Sequence, residues 1–156
     1  MTSMSLSFYN LILGLWVGGI TIVSLIVTPS IFKTFSREKA GEVVGAIFPG
    51  YFLFNFLITL FALIFFIILF GRNEESTTVS KIILIGSVCI SALHKFKLHP
   101  TIKRIKEEIK AIELNKTSVA KSDLKKKFGK MHFASFALNM ILLCFGVALI
   151  FLAPTS

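Results

Sequence analysis

FGKMHFASFALNMILL, residues 128–143, runs from a lysine-rich segment straight into an apolar stretch. Along it His132, Ser135 and Asn139 fall at offsets of 0, 3 and 7, which is one face of a helix. From residue 131 to 156 there is no Asp, Glu, Lys or Arg. Polar residues aligned in so apolar a segment either hold helices to one another or hold something else.

Working outward, the same absence of charge recurs in residues 1–32 and 43–71. The 156-residue chain is 54% hydrophobic and 16% charged, with a mean hydropathy of +0.81. A soluble domain carries roughly 25% charge, and crossing hydrocarbon takes about 20 apolar residues. Each charge-free run is long enough. We expect an all-α, four-transmembrane-helix up-down bundle forming one domain over 1–156, with helices at about 7–29, 49–70, 79–98 and 131–153. The third carries Lys81 near one end and His94 and Lys95 near the other, where lysines snorkel to an interface. No Lys or Arg precedes Lys33, unlike the positive start of a signal peptide, so the first helix is expected to be retained. Cys89 and Cys144 fall inside spans and read as packing residues.

Orientation follows from the basic residues. Of the 17 Lys and Arg, only Arg72 and Lys81 belong to the second connection; the other fifteen lie in the first and third. The fifteen-residue side is expected to be cytoplasmic, with both termini on the periplasmic side of a bacterial inner membrane. The net charge of +9 is thus a matter of topology. No nucleic-acid partner is needed to explain it, although anionic lipid headgroups suit the basic side.

The third connection is long. In LHPTIKRIKEEIKAIEL (98–114), Ile102, Ile105, Ile109 and Ile112 form a helical stripe opposite a charged face. Asn115 to Ser118 reads as a turn, with Thr117 or Ser118 as the next N-cap. Ala120, Leu124, Phe128 and Met131 then repeat at helical spacing. Helices 3 and 4 are therefore expected to extend beyond the membrane as a helical hairpin over about 99–130, with a solvated coil as the alternative. The hairpin would set His99 level with His132, and His94 level with Asn139.

Polar residues in lipid usually face the bundle interior. The first helix offers the line Asn10, Gly14, Gly18, Thr21 and Thr28. The second offers Asn55 and Thr59, and the third Ser87, Ser91 and His94. The fourth offers His132, Ser135, Asn139 and Gly146. Gly14 and Gly18, followed by Gly19, make a small-residue face for close helix packing. Trp16 sits in mid-span, where its indole N–H needs a partner. Two readings stay open. These residues are helix-bridging hydrogen bonders, or His132, Ser135, Asn139, His94 and Trp16 line a ligand site. His94, His99 and His132 are the candidate ligands for a transition metal or haem. No Ser-His-Asp set, phosphate loop or carboxylate pair is present, and all eight acidic residues lie in connections. An enzyme is not the expectation.

LGLWVGGI (13–20), PSIF (29–32), His99-Pro100 and FGKMHFASFALNMI (128–141) together resemble the transmembrane protein 205-like domain family. The resemblance spans nearly the whole chain and implies a small four-helix membrane protein without an assigned activity. By position, its signature residues would be Trp16, Gly18, Gly19, Pro29, His99, Pro100, Phe128, Gly129, His132, Ser135 and Asn139. More remotely, the architecture is similar to the copper-resistance D and HemJ-type protoporphyrinogen oxidase membrane families, which implies metal or haem chemistry. The latter type is associated with a histidine in its first helix. Here no histidine precedes His94, so that activity does not carry over.

Three functions follow as expectations. The first is a non-enzymatic membrane protein binding a small ligand or partner in a polar cavity. The second is a haem- or metal-binding redox protein. The third is a structural protein that packs on a second copy or another membrane protein.

Overall fold

A computed structural model describes residues 3–70, 74–114 and 118–153, and every element among them is helical. In chain order these are α1 (Ser3–Thr21), a π-helical segment (Ile22–Val27), α2 (Thr28–Thr34), α3 (Arg37–Phe70) and α4 (Glu74–Leu93). A second π segment (His94–Leu98), α5 (His99–Leu114) and α6 (Ser118–Phe151) follow. Four continuous helical stretches are long and apolar enough to cross a membrane: Met4–Thr34, Glu38–Phe70, Thr78–Ile109 and Asp123–Phe151. With the composition, they make the chain an integral membrane protein.

The helices run further than the apolar stretches that announce them. The first span continues to Thr34 rather than ending near 29, and α3 begins at Arg37 rather than 49. Pro49 lies inside α3 and does not start it. A proline there removes one N–H and frees the carbonyl four residues back, which is that of Gly45. Lys106 from α5 reaches into this region. Its Nζ donates to the Gly41 carbonyl at 2.9 Å, and it lies so close to Gly45 that a Cβ there would stand 3.6 Å from it. Lys95 Nζ donates to the Pro49 carbonyl at 3.3 Å. Charge marks where a helix leaves lipid, not where its backbone hydrogen bonding stops. At 34 residues each, α3 and α6 are about 50 Å long, well beyond a hydrocarbon core of about 30 Å.

α1 packs on α3 and α6, and α4 packs on α3 and α6, so the four spans form a ring in chain order. α5 lies along α6 as a helical hairpin. Ile105 is buried, and Ile102, Ile109 and Ile112 are half-buried, as their stripe requires. The expected turn over 115–117 lies outside the described residues. Two exposed pairs, Arg104–Glu108 at 3.0 Å and Lys103–Glu107 at 3.9 Å, run along the opposite face of α5.

The interior is divided along the bundle axis. One half is a single apolar cluster that includes Tyr9, Leu13, Trp16, Ala62, Phe66, Leu84, Leu142 and Leu149. Beyond it, toward the basic end, the buried residues are Ser24, Tyr51, Asn55, Thr59, Ser87, Ser91, His94, Ser135 and Asn139. Still further along, Ala40 and Val44 on α3 and Ile105 on α5 are buried. Apart from Ser80, buried on α4 toward the opposite end, the buried polar residues therefore form a layer between apolar ones.

Candidate functional site

Four contacts tie the spans together in this polar layer and leave one junction open. The Ser24 and Tyr51 hydroxyls, on the first and second spans, are 3.4 Å apart. Thr59 Oγ1 and Ser91 Oγ, on the second and third, are 2.9 Å apart. The His94 ring rests on Phe52 with centroids at 5.0 Å and lies beside the backbone carbonyl of Ser135 on the fourth span. Between the fourth span and the first there is a partly open cleft of about 30 Å³. Ser24, Thr28, Phe48, His132, Ser135, Phe136 and Asn139 line it. That volume holds one or two water-sized groups.

Both π segments fall at this level. A π turn inserts an extra residue and is most often found at functional sites. In the first, Ser24 turns inward, and Thr28 Oγ1 donates five residues back to the Val23 carbonyl at 2.7 Å. The second opens with His94, buried to 1% exposure. The interior face of the first helix lies one residue round from the expected line. Tyr9, Leu13, Trp16, Ile20 and Ser24 point inward, while Asn10 and Gly14 of the expected line are exposed and Thr21 is half-buried. Thr21 bonds its own helix at the Val17 carbonyl, 2.8 Å away. The expected lines on the other spans do face inward: Asn55 and Thr59, then Ser87, Ser91 and His94, then Ser135, Asn139 and Gly146.

Of the five candidate ligand-binding residues, His132, Ser135 and Asn139 come together on the cleft wall. His94 stands next to Ser135 but behind the wall. Trp16 is elsewhere, in the apolar cluster against Gly146, where a Cβ would lie 3.5 Å from its ring. Ser24, Thr28 and Tyr51 complete the site. Ser24 follows Ile20 by four residues on the same inward face as Tyr9, Leu13 and Trp16, so the apolar period of the first helix leads to it, while the line of polar residues does not. Gly14 and Gly18 meet nothing within 4 Å of where a Cβ would sit, whereas Gly19 lies under the Phe54 ring.

Electrostatically the site is neutral, with hydroxyls, carboxamides and imidazoles and no carboxylate. Several of its groups lack a partner. Both ring nitrogens of His94, both amide atoms of Asn55 and Asn139 Oδ1 are buried without a hydrogen bond. His94 nears the Ser135 carbonyl without reaching bonding geometry. For a metal the histidines are poorly disposed. His99 lies on Phe52 at 5.7 Å, and His132 stacks on Phe128 at 6.2 Å. Among the described residues no three His, Cys, Asp or Glu side chains are grouped to hold an ion. A cleft of about 30 Å³ is also an order of magnitude smaller than pockets for large organic ligands, so haem does not fit it.

No curated protein and no solved structure matches the chain. A family model described as a domain of unknown function, DUF4149, matches residues 11–111, which takes in Trp16, Ser24, Asn55, Ser91 and His94 and stops short of the fourth span. That match extends over about two thirds of the 156 residues, and the chain therefore belongs to the DUF4149 family.

Proposed function

We propose that this is a non-enzymatic membrane protein that binds a small polar ligand, or the polar end of a larger one, in the cleft between its first and fourth spans. The observation that carries this reading is Asn139 Oδ1, an acceptor on the cleft wall, buried and without a partner. Ser24, Thr28, His132 and Ser135 add hydroxyl and imidazole groups around the same small space. A buried acceptor left unmatched costs about 1–3 kcal/mol, which a ligand donor would offset. The finer resemblance to transmembrane protein 205-like proteins agrees with a small helical bundle of this kind. The excess of basic residues in the first and third connections supports a cytoplasmic cleft end, anionic lipid headgroups around it and periplasmic termini, in a bacterial inner membrane.

The test uses detergent-purified protein, wild type beside Asn139→Leu and His132→Ala. Bound compounds are sought by mass spectrometry of a solvent extract, by visible absorption and by elemental analysis. A stoichiometric polar compound in the wild type, lost from both variants at unchanged melting temperature, is the expected result. A Soret band or stoichiometric metal lost in His132→Ala would replace this reading with the redox one. Wild-type protein that carries no compound and gains none in lipid would end the ligand reading.

A second reading has its own observation. Gly14 and Gly18 face open space on the first span, the geometry a partner helix needs for close approach. Crosslinking in native membranes that is lost in Gly18→Leu would favour a structural role on a second copy or another membrane protein.

A further inference from the structure

We infer that the polar layer is a one-sided aqueous vestibule, in which water enters at the cleft and reaches His94 and Asn55 in mid-bundle but goes no further. The inference shares the cleft with the ligand reading and does not need a ligand.

The argument begins with cost. Asn55, His94 and Asn139 are exposed by 1%, 1% and 5%, and between them they bury five polar atoms without a protein partner. At about 1–3 kcal/mol for each such atom, the sum rivals the whole stability of a typical domain, about 5–15 kcal/mol. A bundle does not fold around that deficit. Water removes it, because water donates and accepts equally well. The five atoms need both: the carboxamide and the neutral imidazole each present one donor and one acceptor, and Asn139 Oδ1 adds an acceptor. A charged occupant would lack a counter-charge in this layer. The site is also polar and roomy enough, with a cleft that takes one or two waters.

Access is set by the sequence of residues along the axis. The cleft runs from His132 near the basic end to Asn139, seven residues deeper on α6, about 10 Å along the helix. Ser135 lies between them, with His94 beside it. On the far side the layer is shut. Thr59 and Ser91 bond to each other across the second and third spans. Beyond them lie Ala62 on the second span and, on the third, Ser87, whose hydroxyl donates to the Ile83 carbonyl of its own helix at 2.8 Å, then Leu84, with Leu142 on the fourth span, all at 0% exposure. Tyr9 Oη and Trp16 Nε1 are also unpartnered, but both residues belong to the apolar cluster rather than to the polar layer. The two π segments flank the vestibule and widen the helices there.

Water-edited solid-state NMR on the wild-type protein in lipid bilayers tests this directly. Magnetisation passed from water should build up several-fold faster on Ser135, Asn139, His94 and Asn55 than on Ala62, Leu84 and Leu142. Water contact confined to His132, with Asn55 and His94 as slow as Leu84, would overturn the inference. So would equal build-up on Leu142, which would mean water crosses the bundle. A second readout uses Ser135→Cys and Ser24→Cys with Cys89 and Cys144, both exposed on the bundle surface, replaced by alanine. The S–H stretch of each new cysteine should shift in D2O at least several-fold faster than that of Leu142→Cys; equal rates would again overturn it. Failure of the ligand reading leaves these rates untouched, and a ligand bound in a dry site would leave Asn55 unlabelled.

Discussion

Thr59 Oγ1 and Ser91 Oγ, 2.9 Å apart, join the second span to the third near the apolar cluster, with Ser87 the next buried hydroxyl on α4, bonded to its own helix at the Ile83 carbonyl. Each hydroxyl also meets its own helix, Thr59 at the Asn55 carbonyl (2.9 Å) and Ser91 at the Val88 carbonyl (3.0 Å). One of the two therefore donates across the gap while the other donates to backbone. The pair ties the second span to the third without leaving a hydroxyl proton unused.

That arrangement predicts a small, coupled energy. Hydrogen bonds between membrane helices average about 0.6 kcal/mol and reach about 1.7. Thr59→Val and Ser91→Ala should each lower stability by about 1 kcal/mol in reversible unfolding in mixed micelles. The double variant should cost less than the two single costs added together. Strict additivity would mean that the hydroxyls do not bond in the membrane.

Asn55, one turn away from Thr59, should behave in the opposite way. Both its amide atoms are buried outside hydrogen-bond geometry, with the Tyr51 hydroxyl beside them, so Asn55→Leu removes at most a weak contact to Tyr51. Replacing an unpaired polar group by an apolar one of similar size is nearly neutral or stabilising. The expected change in unfolding free energy is between zero and about 1 kcal/mol of stabilisation. A loss above about 2 kcal/mol would show that Asn55 has a strong partner.

The contrast shows what could be read from residues alone. Three charge-free runs announce three spans because lipid excludes charge, the apolar stretch between Lys81 and Lys95 announces the remaining one, and the isoleucine stripe of α5 announces the hairpin because a helix buries one face. Offsets of three, four and seven identify Ser87, Ser91, His94, Ser135 and Asn139 as interior. The same logic misplaces the first helix: it selects Asn10 and Gly14, which are exposed, over Ser24. The inward face is marked instead by the apolar spacing of Tyr9, Leu13, Trp16 and Ile20, on which Ser24 follows four residues later. The start of α3 does not show, because the charge-free run opens only after Glu42 while the helix already begins at Arg37, with Lys106 and Lys95 on the carbonyls of Gly41 and Pro49.

The glycines separate packing within the chain from packing outside it. A Cβ on Gly146 would stand 2.7 Å from Val17 Cγ2, a stiff β-branched side chain. Gly146→Ala should therefore cost about 1–3 kcal/mol, as overpacking does. At Gly19 the obstacle is the tip of the Phe54 ring, also at 2.7 Å, on a side chain that is itself 39% exposed and free to swing. Gly19→Ala should cost less. Gly14→Ala and Gly18→Ala meet nothing and should leave the melting temperature of the monomer unchanged. Destabilisation that depends on protein concentration in those two would identify self-association through this face.

α5 packs along α6 and reaches α3 through one lysine. Ile105 on α5 is 3% exposed, and Lys106 Nζ donates to the Gly41 carbonyl on α3. Ile105→Ala empties a well-buried position, at about 2–5 kcal/mol. Lys106→Met keeps the stem and loses a hydrogen bond worth about 0.5–1.5 kcal/mol. Both losses fall on the end of the bundle away from the apolar cluster, so the spans should hold while α5 loosens. Trypsin has sites at Lys103 and Arg104 on its exposed face. Cleavage there should speed up severalfold in Lys106→Met and more in Ile105→Ala, with the polar-layer residues unchanged in their water contact. If Ile105→Ala instead unfolds the spans as a unit, the extension and the bundle form one cooperative structure.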